Sequence, residues 1–273
     1  VETSYISRGP SNLGGRTRKV AQDVTDVTGN TMLGCGVSGG VFRTTDGGAS
    51  WIKVSANDEI HNATAIVQDT RSGFENIWYY GTGEGSGNSA SPSQSSAATI
   101  YWGNGIWKST DSGLTWTQIP STASTQELWN SRFDTVWALA VHPITGDLYA
   151  AINGRVSRFN GTIWETEVTN PGTGLGFTNY TDVAITSSGR VYAAFSGNQD
   201  STIEGIWTSA DGDTSWSRIS AASFTPTGRV VLALAPSNQD KLYTLFINGN
   251  AASCTGPVHE VDLWMWNQNT TTW

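Results

Sequence analysis

An eight-residue pattern returns three times along the chain. Residues 44–51 read TTDGGASW, residues 109–116 read STDSGLTW, and residues 209–216 read SADGDTSW. Each copy follows a short apolar and aromatic stretch: GVFR, GIWK and GIWT. A hairpin that returns in this way makes the chain an array of similar units. Such a repeat constrains architecture more than any single residue does. It constrains chemistry less, because sites are grafted onto folds.

A longer two-strand segment precedes each hairpin, at residues 16–36, 63–83, 134–153, 180–196 and 228–249. Each reads as apolar strand, polar turn, apolar strand, with Gly, Asn, Asp, Ser or Pro in the turn. A tryptophan closes each unit, at Trp51, Trp116, Trp164, Trp216 and Trp273. The third unit keeps only RFNGTIW and the fifth LWMWNQNTTTW. These units, 16–56, 63–120, 134–168, 180–220 and 228–273, predict an all-β chain forming a β-propeller of four-stranded antiparallel blades. A two-sheet sandwich would not explain why the same hairpin recurs at the same place. The apolar runs VWALAV and VVLALA predict inner strands buried on both faces. Two pictures stay open: five blades close here, with residues 1–10 as the ring-closing strand, or the chain is the N-terminal part of a ring of about seven to ten blades.

The octapeptides resemble the Asp-box, or BNR repeat, of sialidases, xyloglucanase-type glycoside hydrolases and sortilin-like domains. Asp46, Gly48 and Trp51 match it, as do Asp111, Gly113 and Trp116; the third copy keeps Asp211 and Trp216 but has Asp213 at the glycine position. The residues themselves suggest a structural role. The aspartate accepts backbone N–H groups across a turn, the glycine takes positive φ, and the tryptophan packs the hairpin onto its sheet. The segments RGPSNLGGRTR, YYGTGEGSGN and GIWKSTDSGLTW resemble secreted or surface propellers of Bacteroidetes-type bacteria. That resemblance implies an extracellular protein, of the kind exported by type IX secretion.

Composition narrows the partners. Net charge is −8, with four lysines and no basic run, which argues against a nucleic-acid surface. Charged residues are 14%, against about 25% in an average soluble protein, and Gly, Ser, Thr and Asn replace them. No apolar stretch approaches the roughly 20 residues of a membrane span. Two cysteines, Cys35 and Cys254, leave one long-range bridge or two buried thiols open. A bridge would join units one and five, which are neighbours only in a five-bladed ring.

In a propeller, the loops from second to third strand and from blade to blade gather at one mouth, and long loops there are where binding resides. Glu84 opens the longest of them, Asp182 lies early on an inner strand, and Arg16 and Arg229 precede inner strands one and five. Together they form a candidate site for a polar or anionic sugar. Strand capping and ordinary ion pairing are the alternative. Resemblance to the enzymes breaks at the catalytic positions. SRGP at residues 7–10 replaces the sialidase Arg-Ile-Pro, and Val37 stands where xyloglucanase-type enzymes carry an aspartate in Thr-Asp-Val-Gly-Gly. Valine moves no proton, and ordinary glycoside hydrolysis needs two carboxylates.

His61, His142 and His259 lack metal-ligand spacing. No catalytic residue, metal or cofactor is assigned, and calcium is not indicated. Thr135 and Ser201 match a bacterial O-glycosylation pattern. The expected function is a non-catalytic recognition or scaffold module, secreted or on the cell surface. It would bind glycan or a surface or secretion protein through the mouth loops, and further blades of a longer chain are a further candidate partner. The alternatives are a xyloglucanase-like or sialidase-like hydrolase, and a subunit of an extracellular assembly that uses Trp264 and Trp266.

Overall fold

The computed structural model describes residues 15–56, 62–85, 101–124, 130–169, 180–196, 203–212, 215–221, 224, 226–248 and 261–273. They form five antiparallel sheets in chain order. The first holds β1 (Thr17–Gln22), β2 (Met32–Gly36), β3 (Gly40–Thr44) and β4 (Ile52–Lys53). The second holds β5 (Ala63–Gln68), β6 (Trp78–Thr82), β7 (Ile106–Ser109) and β8 (Thr117–Gln118). The third holds β9 (Val136–Val141), β10 (Leu148–Ile152), β11 (Arg155–Phe159) and β12 (Trp164–Thr169). The fourth holds β13 (Tyr180–Ile185), β14 (Val191–Ser196), β15 (Gly205–Ser209) and β16 (Ser217–Arg218). The fifth has three strands among the described residues: β17 (Pro226–Leu234), β18 (Lys241–Asn248) and β19 (Val261–Asn267). Helix is confined, among those residues, to the 3-10 turns Pro120–Thr122 and Arg132–Asp134.

Four apolar clusters fill the four junctions between consecutive sheets. Leu33 and Cys35 meet Ala63, Ile66, Trp78 and Tyr80 at the first junction. Tyr79 and Ala65 meet Val136, Leu148, Ala150 and Ile152 at the second. Tyr149 and Ala151 meet Val191, Ala193 and Phe195 at the third. Tyr192 and Ala194 meet Val230, Leu232, Leu242 and Phe246 at the fourth. The period of two along a strand produces this. Alternate residues of β10 face backward and forward, so one strand serves two interfaces.

The sequence reading expected the first strand of each unit to be buried on both faces. The second strands hold that place instead. Every residue of β6, β10 and β14 is buried, whereas β9 is only partly covered along its length. A second strand has a strand on either side and a sheet on either face, while a first strand is the sheet's edge.

On the fifth sheet the same alternation leaves a face without a neighbouring sheet among the described residues. Val231, Leu245, Val261, Leu263 and Met265 are exposed along it. Trp266 is buried and Trp264 packs on Phe246, ring centroids 5.6 Å apart. Both therefore belong to the junction with the fourth sheet, and they are not the exposed aromatics that the sequence reading expected for contact with another chain.

The repeated hairpins are closed hydrogen-bond units. Thr44 Oγ1 donates to Asp46 Oδ1 (2.7 Å) and accepts from Gly48 N–H (3.0 Å); Ser50 donates from its backbone to Asp46 Oδ1 (2.9 Å) and from its hydroxyl to Oδ2 (2.6 Å). Ser109, Asp111, Gly113 and Thr115 repeat this bond for bond, at 2.7, 3.0, 2.9 and 2.6 Å. In the worn copy Ser209 donates to Asp211 (3.0 Å) and accepts from Gly212 (3.1 Å). Trp116 meets Tyr80 edge-on at 4.7 Å, Trp51 covers Gly34, and Trp216 packs into the third junction. The second and third copies also seat on the preceding sheet. A Cβ at Gly113 would collide with Leu33, and Tyr149 donates to Gly212 O at 2.8 Å.

Cys35 is a buried free thiol whose S–H points to Ala65 O at 3.6 Å. Its side chain faces the second sheet, so a bridge toward the fifth unit is not formed; Cys254 and the ring-closing stretch 1–10 lie outside the described residues. Thr135 is fully buried, which removes it as a glycosylation acceptor in the folded chain, and Ser201 lies outside the described residues. His142 is a turn residue. It accepts from Thr145 N–H (3.1 Å) and lies 3.1 Å from Gly189 O.

Candidate functional site: an arginine-rich mouth

Strand register fixes one mouth. Each first strand begins where its second strand ends, pairing Thr17 with Gly36, Ala63 with Thr82, Val136 with Ile152, Tyr180 with Ser196 and Pro226 with Asn248. The first strands adjoin in chain order, β1 to β5, β9, β13 and β17. Their starting ends therefore gather together.

Glu84 lies just past the end of β6, its backbone bridged to Tyr101, and its side chain is 1% exposed. Its carboxylate faces two arginines. Arg18 reaches both oxygens, and Arg16 Nη2 stands 3.5 Å from Oε2. Arg229, on the fifth sheet, lies with its guanidinium 5.5 Å from the centre of the Trp137 ring and close enough to Arg18 to repel it. It sits within β17, past a register shift, and not ahead of the strand as the sequence suggested. Trp137 packs against Tyr180 at 5.1 Å. Burial first, then Arg229 and Arg16, pull the Arg18 guanidinium down to about 10. That is the direction expected where cations outnumber anions away from water.

Asp182 is a different kind of carboxylate. It is half-buried, and it ties the fourth sheet to the fifth by accepting Leu232 N–H on Oδ2 (2.8 Å), while Oδ1 takes Val183 N–H (2.8 Å). Burial pushes its carboxyl up against the pull of those donors and of Arg229. Asp134, which is buried, accepts Asn130 N–H (3.0 Å), Ser131 N–H (2.8 Å) and the Ser124 hydroxyl. All three carboxylates are committed to partners. Val37 is at the mouth, where its N–H bonds Arg16 O at 3.0 Å, and its side chain is buried.

Among the described residues Arg16 Nε, Trp137 Nε1 and the Thr135 hydroxyl are closed off from solvent without a hydrogen-bond partner, a state that Trp78, Trp107 and Trp116 Nε1 share elsewhere in the fold. Thr135 and Trp137 are neighbours, since a Cβ on Gly85 would stand 2.8 Å from Thr135 Cγ2 and 2.9 Å from Trp137 Cζ2. Among the described residues Arg229 forms no ion pair.

Of the expected site residues, Glu84 and Arg16 meet, while Arg229 lies between Arg18 and Asp182, which is an inter-sheet tie. Arg18 and Trp137 were missed. Arg18 is two residues from Arg16 in an extended segment, and side chains two apart share a face, so its presence was readable. Trp137 was hidden inside an apolar run.

Five sheets in series, each covering the next, match known structures closely enough to settle the architecture. An ancestral GH74 enzyme aligns with a TM-score of 0.65 and 18% identity, covering 98% of this chain and 32% of that one. The fold is a β-propeller. A GH74 xyloglucanase from Xanthomonas campestris aligns at 0.57 with 16% identity over 93% of this chain and 39% of its own. YCF48 from Cyanidioschyzon merolae aligns at 0.51 with 13% identity, over 96% of this chain and 74% of its own. The chain thus spans about a third of the length of the GH74 enzymes it matches. No family model and no curated protein matches it.

Proposed function

We propose that this propeller is a non-catalytic recognition module, secreted or displayed at the cell surface, which takes its partner at the arginine-rich mouth. The observation that carries this reading is the state of the carboxylates. Hydrolysis of a glycosidic bond uses one carboxylic acid and one carboxylate flanking the bond. Here Glu84 is held between arginines, Asp182 and Asp134 are tied to backbone donors, and the first-unit position is Val37. Binding needs no free acid or base, only unsatisfied groups at an accessible mouth. The test is release of reducing ends from neutral and acidic polysaccharides. No release is expected. Turnover that disappears in Glu84→Gln would overturn the reading.

A second reading rests on the fifth sheet. The face carrying Val231, Leu245, Leu263 and Met265 is the one that each of the four preceding sheets buries against its successor. We propose that a further blade of the same, longer chain covers it. The intact mass of natively purified protein decides: a mass well above 29.2 kDa supports it, and 29.2 kDa removes it.

A further inference from the structure

The strand register describes the kind of neighbour that the open face of the fifth sheet takes. One pair in from the turn, first and second strands match Ala21 with Leu33, Val67 with Tyr79, Ala140 with Tyr149, Ala184 with Tyr192 and Ala233 with Tyr243. In the first four sheets the second-strand residue of this pair lies in the junction with the following sheet. Three of the four meet the turn that follows that sheet's third strand. Leu33 fills the space where a Cβ on Gly113 would stand. Tyr149 donates to Gly212 O at 2.8 Å, and Tyr192 to Gln268 Oε1 at 3.1 Å. Tyr79 is the exception, because it faces the sheet with the shortened hairpin, where Gly161 has open space around it. Tyr243 holds the same place on the fifth sheet. It is half-buried, and its hydroxyl makes no hydrogen bond among the described residues. Met265 stands directly opposite it on β19, and Val231, Leu245, Val261 and Leu263 beside them are between 41% and 66% exposed. A contiguous apolar face of this kind marks a contact surface.

Resting on the reading that a further blade of the same chain covers this face, we infer that the covering blade seats a hairpin turn on Tyr243. The turn is of the kind closed by Ser or Thr and Asp at residues 44–51 and 109–116, and the Tyr243 hydroxyl donates to one of its carbonyls. Apolar neighbours alone would bury that hydroxyl without an acceptor, which costs more than the burial of the ring requires. The hairpin supplies the acceptor at the place where Gly212 supplies it to Tyr149. A second copy of the chain also has an intact hairpin to offer, on its first sheet. A blade in the same chain has the advantage, because a short connection holds it at about millimolar effective concentration.

Two measurements on the protein at its native length test this. Peroxide oxidation of Met265, followed by peptide mass spectrometry, reads whether the face is covered. It is expected to be slower by about tenfold or more in the folded protein than in urea. Tyr243→Phe keeps the ring and reads the hydroxyl alone. It is expected to lower the folded-to-unfolded ratio about fivefold, the loss of one buried hydrogen bond, with Met265 still protected. Slow oxidation together with that loss supports the inference. Oxidation as fast in the folded protein as in urea overturns the reading of a further blade, and the inference with it. Protection of Met265 combined with an unchanged stability of Tyr243→Phe leaves the blade in place and overturns the seated turn. Protection that disappears on dilution assigns the face to a second copy and overturns both.

Discussion

The repeated hairpins and the mouth carry most of the chain's notable polar residues, and they use them in opposite ways. In the first two hairpins the aspartate is answered within the same turn. Asp46 and Asp111 have both oxygens occupied by donors at most four residues away, and the two copies agree bond for bond. At the mouth the partners come from different sheets, and nothing repeats. Repetition in this sequence therefore marks what every blade needs in order to fold. The parts that differ between blades are where a ligand would be recognised. Substitutions should separate the two regions, with stability responding at the hairpins and binding at the mouth.

The largest effect is expected at Gly113. Its φ is +79°, and a Cβ there would collide with Leu33, which is fully buried in the preceding sheet. Gly113→Ala should cost roughly 3 kcal/mol, combining left-handed strain with overpacking. Gly161 provides the control. It has φ +96° in the shortened hairpin of the third sheet, with open space around its Cβ. Gly161→Ala should cost only about 1 kcal/mol, from strain alone. Urea unfolding of both variants reads the difference. Equal losses would mean that the hairpin does not seat on the neighbouring blade.

This contrast also explains what was legible in the sequence. The hairpins were readable because their chemistry is local: Thr44 or Ser109, the aspartate, the glycine and the tryptophan lie within eight residues. The array followed from their recurrence. The mouth was only half readable. Glu84 and Arg16 could be placed by their position beside strands, but that Arg18 grips Glu84 across 66 residues is a tertiary fact. Trp137 sits in VWALAV, where an indole and an aliphatic core residue look alike until the N–H is found without a partner. The suggested Cys35 bridge failed on facing: the thiol points into the first junction, a direction that spacing does not encode. The expectation for inner strands failed because an apolar run does not reveal whether its strand is the edge of its sheet.

Acid should expose the hairpin charges next. Burial works against the Asp111 carboxylate, but hydrogen bonds from Thr115, Ser109 and Leu114 overcome it and hold its pKa at about 2; the Ser50 hydroxyl leads the same effect at Asp46. A carboxyl depressed on folding stabilises the protein above its unfolded value, near pH 4, and loses that contribution as pH falls toward the folded value. Asp111→Asn keeps the shape and removes the charge, turning an amide N–H toward the Thr115 hydroxyl. It should cost about 2 kcal/mol at pH 7. That deficit should shrink between about pH 4 and pH 2. A deficit independent of pH across this window would show that the charge is not what closes the turn.

A smaller effect tests the seating from the other side. Tyr149 is buried, and its hydroxyl donates to Gly212 O in the following sheet. Tyr149→Phe keeps the ring and leaves that carbonyl without its donor, for about 1 kcal/mol. Thermal unfolding should report it as a modest fall in the midpoint. No change would assign the third junction to ring packing alone.

The smallest effect on stability is expected where the effect on binding is largest. Arg229 forms no ion pair among the described residues, is half-buried, and repels Arg18. Its removal takes a cation away from other cations and loses only the contact with Trp137. Arg229→Gln should therefore change unfolding free energy by no more than about 0.5 kcal/mol, in either direction. A loss of several kcal/mol would place Arg229 with Asp111 as a structural residue and erase the distinction between hairpin and mouth. An unchanged fold with altered ligand uptake would assign this arginine to recognition.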